Sequence, residues 1–242
     1  MRPLAPPALL ALLLAVPLAA PAQDLSDARV KALALEAILE NPEVVMEAIA
    51  ILQERQAAEE EAAAVAALEG SRDLLERDPN APVIGNPEGS VTVVEFFDYN
   101  CGFCRRAAPE MAALLEADDD VRVVLREWPI LGEGSVFAAR AALAAREQDR
   151  YEAMHDAMLG AGGRLDEASV MAIAEEQGLD LDRLRADMKA PAVQAHLDAT
   201  MELAQALGFS GTPSFVIGGE RVPGLVDAEA MGELVAAARS DG

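Results

Sequence analysis

The chain carries two cysteines in 242 residues, and they stand together as Cys101-Gly102-Phe103-Cys104. A disulfide between such near neighbours closes almost no loop, so it does little to restrain the unfolded chain. The same spacing suits thiol–disulfide exchange, in which one thiolate attacks and a second thiol resolves the mixed disulfide. The preceding run Val91–Phe97 is β-branched and aromatic and reads as a buried strand. A helix then runs from about residue 101 to 117, which puts Cys101 at its start. Unpaired N–H groups and the positive end of the helix dipole favour a thiolate there. Residues i and i+3 of a helix have Cβ atoms ~5–6 Å apart, so Cys104 can reach Cys101 after modest adjustment. This predicts Cys101 as the exposed attacking thiol and Cys104 as the buried resolving thiol.

A metal is the competing use of two thiols. A closed zinc site needs four ligands, and the only histidines, His155 and His196, lie far from the pair and from each other in sequence. No metal site is predicted, although copper(I) on the two thiolates remains an alternative, since soft thiolates suit that ion. No cofactor is predicted either. Glu95 stands six residues before Cys101, flanked by Val93, Val94, Phe96 and Phe97. In that apolar setting it is expected to be buried, with a raised pKa and the capacity to take a proton near neutrality; alternation could instead turn it to solvent. Asp98 and Glu127 are expected to add negative charge near the site.

The elements that must position these residues follow from pattern and punctuation. Residues 1–22 read as a secretory signal, with Arg2, an apolar run from Ala8 to Ala20 and cleavage after Ala22. That run is too short to span a bilayer, which takes ~20 residues. Residues 23–80 form a helical region rich in Ala, Glu and Leu. Ser26 or Asp27 caps a first helix, and Asn41-Pro42 starts a second that continues to about Arg77. Its apolar stripes are separated by a polar middle, which suggests a stalk that self-associates; the alternative is a helix lying on its own domain. Asp78–Pro82 marks the boundary, and residues 81–242 form the second domain. There Val83-Ile84, Val91–Phe97 and Val121–Leu125 read as strands. A helical block follows at about 135–207. Ser214–Ile217 and Glu220–Val222 make a hairpin across Gly218-Gly219, and Asp227 caps a last helix.

Strand–helix–strand, helical insertion, hairpin and helix is the order of an α/β thioredoxin-like fold with an inserted helical subdomain. Over about residues 82–240 the chain resembles the DsbA family of periplasmic oxidoreductases. The phrases Phe96–Cys104 and Pro129-Ile130-Leu131-Gly132 are most similar to ScsC-like members, which carry an N-terminal helical oligomerisation region. The resemblance implies a protein disulfide oxidoreductase or isomerase with Cys101, Cys104 and Glu95 as catalytic residues. It implies a cis peptide at Thr212-Pro213 against the dithiol, with Thr212, Pro213 and Phe103 meeting the substrate. Pro109 should kink the helix that follows the dithiol. The strongest oxidants of the family have His before the second cysteine, and Phe103 cannot supply that bond. Thr212 likewise resembles the isomerase-type members. Isomerase or reductase activity is therefore favoured over net oxidation.

Partners follow the same logic. Client proteins with thiols or disulfides are expected, a membrane thiol reductant of the DsbD type is possible, and a homo-oligomer (trimer or dimer) is expected. The formal charge of −23 excludes nucleic acid, whose binding rests on Lys and Arg at phosphates. No membrane insertion is expected after signal cleavage, and the location is periplasmic or secreted.

Overall fold

The computed structural model describes residues 26–241; residues 1–22, expected to be a secretory signal, lie outside the described residues. The chain divides into two compact units at Glu54/Arg55. In the first, α1 (Asp27–Glu40) starts at Ser26, whose side chain accepts the Arg29 N–H. α2 (Glu43–Gly70) begins just after Asn41-Pro42. Up to Leu52 the large apolar side chains of these helices, among them Val30, Leu33, Ile38, Val45 and Ile49, are exposed.

The second unit is built on a five-stranded sheet of order β1-β3-β2-β4-β5, from β1 (Val83–Gly85), β2 (Val91–Phe97), β3 (Val121–Glu127), β4 (Ser214–Ile217) and β5 (Glu220–Pro223). β2 and β3 are parallel and joined through α4 (Gly102–Ala117); the other pairings are antiparallel. The insertion comprises α5 (Glu133–Ala145), α6 (Tyr151–Gly160), α7 (Glu167–Glu176), α8 (Leu181–Asp187) and α9 (Pro191–Ala206), and α10 (Ala228–Asp241) closes the fold. This is a thioredoxin-like fold with an inserted helical subdomain.

Both faces of the sheet are covered, which is why β2 carries apolar residues on both sides. One face holds Val93, Phe97, Val123 and Leu125 under α4, α10 and the insertion. The other holds Val94, Phe96, Val124 and Val216 under Leu203 and Leu207, together with Leu68 of α2 and Leu75 of α3 (Arg72–Arg77). The single helix expected from Pro42 to Arg77 is thus broken at Ser71, after Gly70, a residue that costs helix ~1 kcal/mol relative to Ala. The break lets Leu75 enter the core. The fully buried Arg126 guanidinium then bonds the Leu74 and Leu75 carbonyls and pairs with Asp78 at 2.7 Å. The unit that holds the dithiol therefore starts well before the boundary expected at residue 80. No helix among the described residues is long and apolar enough to cross a membrane.

Candidate active site

Cys101 is the N-cap of α4, with extended backbone (φ −80°, ψ 119°), and its N–H bonds the Asp98 carbonyl at 3.0 Å. Two anchors set the approach to it. Asp98 accepts the Asn100 N–H at 2.7 Å and the Leu131 N–H at 2.9 Å. Asn100 accepts the Leu165 N–H at 2.7 Å and donates to the Leu165 carbonyl and to Ser135. The loop is thereby tied to the helical insertion on both sides.

Both cysteines are free. Cys101 is only 7% exposed, so the attacking thiol is more covered than its place at a helix start suggested. The loop before β4 does the covering: the Cys101 thiol donates to the Thr212 carbonyl at 3.2 Å, and the Thr212-Pro213 bond is cis. Cys104 is fully buried. Burial pushes its thiol well above the usual range, against bonds from the Asp98 backbone and the Thr212 side chain. Charge on Cys101 or Glu95 pushes it up further.

Glu95 is 4% exposed and desolvation raises its pKa from 4.5 to about 8. It shares the sheet face of Val93 and Phe97, whose cluster includes Cys104, and its charge adds to the rise of the Cys104 thiol. Phe103 is 55% exposed, with the Arg106 guanidinium 4.4 Å from its ring centroid. Phe103 also lines an apolar groove with Thr212, Pro213, Pro223 and Leu225. The six residues singled out from the sequence thus fall into one region, the dithiol with its buried acid on one side and the groove on the other. Pro109 lies inside α4, one helical turn past Cys104 and Arg105.

One expectation changes. Glu127 is not a solvated charge beside Cys101: it is buried, bonded to Tyr99 and Tyr151, and burial pushes it well above the usual carboxylate range. Sequence reasoning missed this cluster, whose members come from three separate segments. The histidines belong to the interior: His155 packs against Phe97, Tyr99 and Tyr151, and His196 accepts the Glu127 N–H. Burial lowers both to about 3, so they are neutral.

A thioredoxin-like sheet, a dithiol at a helix start and a cis-proline loop against it define a thiol–disulfide oxidoreductase fold. The DSBA-like thioredoxin domain family matches residues 92–236, and the chain belongs to that family. Residues 28–59 match the copper resistance protein ScsC N-terminal domain. Among solved structures, a thioredoxin-like oxidoreductase from Silicibacter pomeroyi DSS-3 is 59% identical, with TM-score 0.69, covering 70% of this chain and 98% of that one. Proteus mirabilis ScsC in a transitional conformation is 30% identical, with TM-score 0.67, covering 89% and 95%. Na(+)/H(+) antiporter NhaA 3 of Salinispora tropica is 34% identical over 180 residues, 73% of this chain but 28% of the antiporter. The chain thus spans little more than a quarter of the length of the curated relatives it matches.

Proposed function

We propose that this chain is an exported, periplasmic or secreted enzyme that exchanges disulfides of client proteins, acting as isomerase or reductase rather than net oxidase. The observation that carries the reading is the unequal setting of the two thiols. One keeps a little exposure at the helix start against the Thr212 carbonyl; the other is fully buried, and the charge of a buried carboxyl, Glu95, acts on it. The Cys101 thiolate attacks a client disulfide, forming a mixed disulfide and releasing one client thiolate. Glu95 then takes the proton of Cys104, whose sulfur attacks Cys101. The Cys101–client bond breaks, and the client leaves reduced while the pair is oxidised.

Phe103, Thr212 and Pro213 line the groove that receives the client beside Cys101. Phe103 offers the client apolar contact and gives the Cys101 thiolate no hydrogen bond, which supports the isomerase side. So does self-association through residues 26–54, whose apolar side chains are exposed. Several dithiols on one assembly hold a released client at high effective concentration near the next. A reducing cycle needs electrons, for which a membrane thiol reductant of the DsbD type is the proposed donor.

Insulin reduction is the test. The protein should catalyse it, and a preparation that binds insulin without turnover would refute the reading. Copper(I) sequestration by the two thiolates is the rival, favoured by the match of residues 28–59 to a copper-resistance family. A sequestering protein would bind copper(I) and reduce no insulin. The redox state of Cys101 and Cys104 in the cell separates isomerase from oxidase: mostly reduced supports the first, mostly oxidised the second.

A further inference from the structure

The exchange chemistry above uses one buried carboxyl, and the same core holds a second that it leaves idle. Glu127 ends β3 and is 1% exposed. In the parallel register Glu95 stands opposite Leu125, and Phe97 opposite Glu127. Side chains alternate along a strand, so Glu95 and Glu127 share a sheet face. It is the face that carries Phe97 and Leu125 beneath Cys104. Diagonal neighbours on adjacent strands lie ~7–8 Å apart, a gap that two long side chains can close.

The bonding of Glu127 is lopsided. Its Oε1 accepts the Tyr99 hydroxyl at 2.9 Å and the Tyr151 hydroxyl at 2.8 Å. Its Oε2 is buried and has no partner among the described residues. The groups that act on its carboxyl are Glu95 from β2, Asp98 and Tyr99 from the loop and Tyr151 from α6; beyond them, His155 bonds the Tyr99 hydroxyl and His196 of α9 accepts the Glu127 backbone N–H. None is a cation, since both imidazoles are neutral. The adjacent Arg126 turns to Asp78. Burial, Asp98 and Glu95 raise Glu127, against the pull of the two tyrosines. Oε1 is taken by two donors, so Oε2 is the atom left to carry the proton that burial favours, and it has no partner among the described residues.

We propose that Glu127 is a positioning residue for the Glu95 base: its Oε2–H turns onto the Glu95 carboxylate and stabilises it until Glu95 takes the Cys104 proton. The inference rests on Glu95 acting as that base. The Glu127 proton stays on Glu127 throughout. The proton that moves is that of Cys104, and it ends on Glu95. A hydrogen bond to an ionised acceptor is roughly twice as strong as one to a neutral acceptor. The contact therefore tightens when Glu95 is charged and relaxes once Glu95 is neutral.

The test follows the rate at which Cys104 displaces glutathione from a Cys101–glutathione mixed disulfide, from pH 5 to 10. Glu127→Leu removes the donor. Its pH midpoint should rise by about one unit, a roughly tenfold loss at pH 7. Glu127→Gln keeps an oxygen for the tyrosines and puts an N–H where the O–H was, so it should rescue the profile to within about twofold. A Leu profile superposing on the wild type, or a Gln variant as slow as Leu, would overturn the proposal. Absence of displacement in the wild type, or a Glu95→Gln rate equal to wild type, would instead sink the exchange reading itself. Should Glu127→Leu fail to fold, infrared spectroscopy of the Glu95→Gln protein decides. A protonated-carboxyl band that persists from pH 5 to 9 and vanishes on adding Glu127→Gln supports the proposal. Loss of that band by pH 7 refutes it.

Discussion

Replacing Glu95 by Gln should make the protein more stable and less active, with both effects set by pH. In the folded chain Glu95 ionises near pH 8, against an ordinary value of 4.5, because its site is desolvated. Between these values the folded state holds a proton that the unfolded state releases, so stability falls as pH rises. The contribution is fully present below pH 4.5 and is lost as pH climbs through about 8. At about 1.36 kcal/mol per pH unit, the loss is on the order of 3 kcal/mol by pH 7 and 4–5 kcal/mol by pH 9. Gln carries no charge at any pH and escapes it. Any difference between burying an amide and a neutral acid is the same at every pH and cancels in the trend. Urea unfolding of both proteins at pH 4, 7 and 9 measures it: the advantage of Glu95→Gln should grow by those amounts. The same variant should slow the Cys104 step by ~10²–10⁴-fold near neutrality, the usual range for a lost general base. An advantage that stays flat with pH would show that Glu95 is not a desolvated acid.

The division at residues 54/55 predicts opposite results from two truncations. Removal through Glu54 should leave a folded, insulin-reducing monomer, read by sedimentation and circular dichroism. Removal through Asn80 should not fold, because it empties the Leu68 and Leu75 sites and strips Asp78 from the buried Arg126, the last alone costing ~3–5 kcal/mol. Leu75→Ala by itself should cost ~2–5 kcal/mol in urea unfolding, as for other buried leucines. Alkylation of the reduced protein should label Cys101 before Cys104 in peptide mass maps, since Cys104 is fully buried and its thiol is pushed far up.

Much of this was legible because local rules and tertiary structure agree. Val91–Phe97 is apolar on both faces, so it reads as a central strand and places Glu95 in the interior. Ser26 and Asp227 announce helix starts, and both side chains accept a backbone N–H in the first turn. What was hidden depends on contacts distant in the chain. Gly70 weakens the helix beside Ser71, but nothing local signals that Leu75 enters a core built from Phe96 and Leu207. The cover over Cys101 comes from Thr212, 111 positions away. Glu127 looked like a charge beside the dithiol. Its real setting needs Tyr99 and Tyr151, which only the packed insertion brings to it.

In the proposed exchange Cys101 captures clients and Cys104 releases them. The direct measurement is mass spectrometry of the Cys104→Ser protein after incubation with a disulfide-containing peptide. A stable adduct of protein and peptide should form through Cys101 and be absent from the wild type, which would resolve it. An adduct that fails to accumulate in Cys104→Ser, or that forms through Cys104 in Cys101→Ser, would contradict it.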